Sequence, residues 1–116
     1  VKFARALPAL FQAALIFALS ARPGDAYPEV SFPGADKLVH FCLFAPLGAA
    51  LVYAFRGAPL RAGALGALYG ISDELHQSFV PGRFPDAYDA LADALGAFVG
   101  AWLMARLWAS REPPAG

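Results

Sequence analysis

Two histidines in this chain stand close to carboxylates: His40 follows Asp36 by one helical turn, and His76 lies within a turn of Asp73 and Glu74. An imidazole beside a carboxylate is a general acid–base pair, because the acid orients the ring and favours its charged form. Asp86, Asp89 and Asp93 are spaced i, i+3 and i+7, so they share one face of a helix. The candidate catalytic residues are therefore His40, His76, Glu74 and Asp89, with a histidine as base and Glu74 or Asp89 as acid or ligand. Arg83 and Lys37 could grip a phosphate or carboxylate, so the candidate ligand contacts are Asp36, Lys37, Asp73, Gln77, Arg83 and Asp93. Two histidines among several acids could also hold a divalent metal. The run DELHQ is nevertheless not the HExxH zinc pattern, so the spacing assigns no metal and no cofactor.

A purely structural role competes with these, in which Asp36, Asp86 and Arg83 cap helices and form salt bridges. Capping alone does not call for both histidines, Gln77 and so many charges in one layer. A proton or ion pathway is disfavoured because the polar groups stop at one edge.

The elements that position these groups are oily. Hydrophobic residues make up 59% of the 116-residue chain, and its mean hydropathy is +0.51. This exceeds the soluble norm of roughly 45–50% apolar residues and points to a membrane. Nine Lys plus Arg balance nine Asp plus Glu, which leaves no basic surface for nucleic acid. The lone Cys42 permits no internal disulfide and, set in FCLFA, is expected to be a buried, inert thiol.

Four apolar segments are predicted as helices. The first, Ala6 to Ala21, is expected to be a retained membrane helix rather than a cleaved leader, with Arg5 snorkelling and Pro8 tolerated in its first turn. A proline- and glycine-rich loop from Arg22 to Ala35 follows. The second helix runs from Lys37 to about Phe55, capped by Asp36 and containing Pro46. The turn Arg56 to Arg61 leads to a third, Ala62 to Gln77, apolar until its end. Pro81, Gly82 and Pro85 break the chain before a fourth, from Asp86 or Ala87 to Trp108. Gly66 with Gly70, and Gly96 with Gly100, form small-xxx-small pairs that either admit a neighbouring backbone or simply reflect composition. Residues 111–116 are expected to be a disordered tail.

Charge placement orients these spans. Lys2, Arg5, Arg56, Arg61, Arg106 and Arg111 fall on one side, against Arg22, Lys37 and Arg83 on the other. The positive-inside rule then puts both termini in the cytoplasm. All acids except Glu112 fall on the outer side, so the start of the second helix, the end of the third and the start of the fourth meet at one extracytoplasmic level.

At these residues the chain resembles the VanZ-like family, small membrane proteins named for a teicoplanin-resistance protein. The likeness lies in ordered motifs covering roughly residues 36–100: D-K-x-x-H at Asp36, Lys37 and His40; Y-G-x-x-D-E-x-H-Q-x-F-x-P-G-R from Tyr69 to Arg83; and D-x-x-A-D/N-x-x-G-x-x-x-G through Asp89, Asp93, Gly96 and Gly100. Phe84 stands where the family is associated with a small or polar residue, and Asp93 where many members have Asn. The resemblance implies a single domain in the bacterial cytoplasmic membrane, an envelope role and, in the named member, reduced susceptibility to a lipoglycopeptide. It implies no settled reaction.

The expected fold is thus all-α, an integral membrane four-helix bundle with an outward-facing polar cleft. The first functional expectation is a protein that binds an envelope component or amphiphile, lipid-linked or of glycopeptide type, mainly through Arg83, Lys37 and Glu74. The second is a membrane-embedded hydrolase or transferase acting on a lipid-linked substrate.

Overall fold

The computed structural model describes residues 3–23 and 34–111, and within them the protein is all-helical. The helices are α1 (Phe3–Ser20), α2 (Ala35–Phe55), α3 (Pro59–Gln77) and α4 (Ala87–Arg111). By length and composition α1, α2 and α4 could each cross a membrane. α3 is of similar length but carries Arg61 at its start and Asp73 and Glu74 at its end. Most of the expected proline-rich loop, residues 24–33, lies outside the described residues, as do Lys2 and the tail beyond Arg111.

Several helix ends differ from the sequence expectation. α1 starts at Phe3, so Pro8 lies beyond the first turn and leaves the carbonyl of Ala4 without its usual partner in the helix. α2 is capped by Gly34 in the left-handed conformation (φ 83°), not by Asp36, whose side chain turns to Lys37 instead. α3 starts three residues early, at Pro59, because Arg56, Gly57 and Ala58 all take positive φ and reverse the chain within that span. Proline at the first helical position suits this turn, since its missing N–H had no helical partner to lose.

Side-chain contacts fix an up-down-up-down order. Arg5, near the start of α1, donates to the Tyr53 carbonyl near the end of α2, and its guanidinium lies 4.4 Å from the Tyr53 ring and 5.2 Å from the Trp108 ring. This basic, aromatic end is opposed by an acidic end where α1 and α3 finish and α2 and α4 begin. Tyr69 ties α3 to α1 by donating to the Ala13 carbonyl at 2.6 Å, and Gln12 ties α1 to α2 through the Leu43 carbonyl at 2.8 Å.

The core is built from small residues and a few large ones: Ile16, Phe44, Leu47 and Val52 meet Ala62, Ala97 and Ala101. α2 and α4, which run parallel, form the most extensive contact. Glycine makes it possible. A Cβ on Gly100 would run into the Ala45 carbonyl, one on Gly48 into that of Ala97, and one on Gly96 would lie 2.5 Å from the Phe41 oxygen. Gly66 and Gly70 do the same between α3 and α4, facing Ala97 and Asp93. Both small-xxx-small pairs therefore mark close helix approach rather than mere composition. The outer faces present Phe11, Phe17, Leu68, Leu95 and Trp102 to the surroundings, as expected where the solvent is lipid tails. Cys42 is also exposed, contrary to its expected burial, because it lies along the open groove between α2 and α4, beside Ala45 and Leu103.

Candidate functional site

The acidic end draws together polar groups far apart in sequence. From α2, one turn of helix projects Lys37 and His40 toward α4. Lys37 Nζ lies 2.7 Å from Asp36 Oδ2, 2.7 Å from Asp86 Oδ2 and 3.0 Å from Asp89 Oδ1. One ammonium thus serves three carboxylates. Asp86 precedes α4 and accepts the Tyr88 N–H at 2.8 Å, as an N-cap does. The bonded Lys37 ammonium holds the Asp86 carboxyl below the usual carboxylate range.

One turn deeper, His40 Nδ1 is 2.8 Å from Asp93 Oδ1, and its Nε2 is 3.6 Å from Asp89 Oδ2. Asp93 has no exposed surface at all, because its side chain lies against Gly70 where α3 crosses α4. The face shared by Asp86, Asp89 and Asp93 is therefore the one that meets α2. Across the layer, α3 supplies Asp73 and Glu74, both buried. Glu74 Oε2 accepts the Asp86 N–H at 2.9 Å, which joins the end of α3 to the start of α4. Its other oxygen, Oε1, is buried without a hydrogen-bond partner among the described residues, and so is Asp93 Oδ2. His40, Asp73, Glu74 and Asp93 each offer a ligand atom within 4.8 Å of the others.

The remaining expected site residues have partners of their own. His76 stacks on Phe17 of α1, ring centroids 4.5 Å apart and nearly parallel. Gln77 reaches Ser20 Oγ at 3.5 Å. Arg83 also ties the loop to α1. Its Nη2 and Nε donate to the carbonyls of Leu19 and Arg22 at 2.9 and 3.0 Å, closing the C-terminal end of α1. The two cations expected to grip a ligand are thus engaged with the protein itself.

Asp86 is the residue whose part exceeds its sequence expectation, since it joins Lys37 through its carboxylate and Glu74 through its backbone. Its i, i+3 relation to Asp89 was the available signal.

A helical bundle with three apolar spans and a polar layer at one end defines a multi-pass membrane protein. The family model for VanZ/LLP1 matches residues 4–108, nearly the whole chain, and the protein belongs to that family. Comparison with curated proteins finds no match, and neither does comparison with solved structures.

Proposed function

We propose that this protein is a membrane-embedded hydrolase or transferase that acts on the polar head of a lipid-linked envelope component, with the acidic end as its reactive centre. The observation that carries this reading is the convergence on His40. Asp93 orients the imidazole at Nδ1, Asp89 faces Nε2, and Glu74 keeps a buried oxygen that no described protein group satisfies. A positioned imidazole amid carboxylates can move a proton to or from a substrate hydroxyl or ester. The surroundings suit an amphiphile: Phe79 and Phe84, 80% and 83% exposed, flank the turn between α3 and α4 and would immerse in the membrane boundary. Capture of an anionic ligand by Arg83 and Lys37 has less support, because both cations already hold protein oxygens. In this reading α3 crosses with the other helices, both termini are cytoplasmic, and the acidic end faces outward from a bacterial cytoplasmic membrane. Altered susceptibility to glycopeptide-type antibiotics then follows from altered envelope lipid.

Extracting lipids from cells that produce the wild-type chain or its His40→Gln variant at equal membrane levels tests this. A head-group change seen only with the wild type is the expected mass-spectrometric result. Identical lipid composition in both, with the same lipid co-purifying with each protein, would make the chain a binding protein instead.

A further inference from the structure

The layer formed by His40, Asp73, Glu74 and Asp93 gathers three buried carboxylates around one imidazole. The Lys37 ammonium bonds Asp36, Asp86 and Asp89 one turn away and none of the three carboxylates of this layer. Asp73, Glu74 and Asp93 are 6%, 8% and 0% exposed, so water screens them poorly. Buried carboxylates this close repel one another unless protons or a cation intervene.

We propose that these residues form a binding site for a divalent cation of the Mg²⁺ or Mn²⁺ kind. The donor atoms lie within 4.8 Å of one another. Ligands on opposite sides of such an ion are separated by about 4.2 Å, twice its bond length, so the set closes by contracting a few tenths of an ångström. Carboxylate oxygens dominate the set and favour hard cations, with His40 as the nitrogen donor.

The hydrogen bonding points the same way. Glu74 is oriented through Oε2 by the Asp86 N–H, and Asp93 through Oδ1 by His40. Each keeps its second oxygen buried and, among the described residues, unpartnered. For Glu74 the anchor lies outside the set, and a carboxylate held at one oxygen and open at the other is how metal ligands are oriented by their outer shell. The neighbouring group of Asp36, Asp86 and Asp89 also has metal-like spacing, but Lys37 already occupies its centre.

This inference rests on the reading that this layer is the reactive centre, and it recasts His40 as a ligand in place of a proton carrier. Asp89, 3.6 Å from His40 Nε2, becomes the nearest acid–base group. A bound cation would also allow a phosphate-bearing head group to approach a layer otherwise lined with carboxylates.

The test is titration of Mn²⁺ alone into the full chain, purified in detergent after chelator treatment, with the free ion followed by electron paramagnetic resonance. One saturable site per chain is expected. Glu74→Gln and Asp73→Asn should each weaken it by about 10-fold or more while helicity and elution volume stay unchanged. Arg106→Gln, toward the opposite end of α4 and outside the ligand set, should leave it within about twofold. No binding above the detergent blank up to about 1 mM Mn²⁺, or undiminished binding in both Glu74→Gln and Asp73→Asn, would overturn the site. Should wild-type lipid modification persist in chelator while Mn²⁺ fails to bind, the cation falls and the enzymatic reading stands. Should Mn²⁺ bind specifically while no lipid is modified, the cation stands and the enzymatic reading falls.

Discussion

Replacing His40 by alanine removes the hydrogen-bond partner of a carboxylate that has no contact with solvent. Asp93 is 0% exposed, with Oδ1 2.8 Å from His40 Nδ1 and Oδ2 unpartnered among the described residues. If Asp93 stays ionised, losing its partner costs about 3–5 kcal/mol, the usual penalty for orphaning one member of a buried pair. If it takes up a proton, the cost falls to that of an unsatisfied buried polar group, about 1–3 kcal/mol. Asp93→Asn differs in kind, because the amide oxygen still accepts from His40 Nδ1–H and only the charge is lost, a cost of about 1 kcal/mol. His40→Ala should therefore be the more damaging change, and adding Asp93→Ala should recover part of the loss because no acid then remains stranded. Unfolding in mixed detergent–SDS micelles, followed by Trp102 and Trp108 fluorescence with chelator present, measures all three. A His40→Ala variant within about 0.5 kcal/mol of wild type, or an Asp93→Asn variant less stable than it, would refute the reasoning.

Other expectations follow from the packing. Gly100→Leu should destabilise at or above the top of the usual overpacking range of about 1–3 kcal/mol, since its side chain meets the Ala45 backbone and not a movable group; the same micelle unfolding assay reads it. Ala58→Gly should raise stability by up to about 1 kcal/mol in that assay, because Ala58 holds a left-handed conformation (φ 59°) that costs a residue with a Cβ. Arg83→Ala should lose about 1 kcal/mol and speed proteolysis after Ser20, by releasing the carbonyls of Leu19 and Arg22. Cys42 should react in intact membranes with a lipid-soluble maleimide and resist a membrane-impermeant one, as an exposed thiol within a lipid-facing helix requires.

Much of this arrangement was legible in the sequence. Apolar length gave the helices, and the shared spacing of Asp86, Asp89 and Asp93 gave the face of α4 that meets α2. The i, i+4 step from Asp36 singled out His40, whose partner in the structure is instead Asp93, fifty-three positions away. That pairing depends on how closely α3 and α4 cross at Gly70, which no local spacing encodes. The same limit explains Arg83. A cation beside acids in sequence suggests an ion pair, yet the carbonyls at the end of α1 also lie within its reach and take its Nε and Nη2 donors. His76 sits two residues from Glu74, and in a helix such neighbours point apart, so its stacking on Phe17 of α1 could not be read from that spacing. Cys42 looked buried because every neighbour is apolar, a signal that cannot separate a core face from a lipid face when both are oily.

In the function proposed here, His40 and the carboxylates around it act together on a lipid head group. The most direct measurement compares the lipid product formed by wild type, His40→Gln, Glu74→Gln and the double variant, each verified as folded and at equal membrane levels. Groups that act as a unit are non-additive, so each single variant should abolish nearly all product and the double variant should remove no more. Full product from either folded single variant would contradict the account.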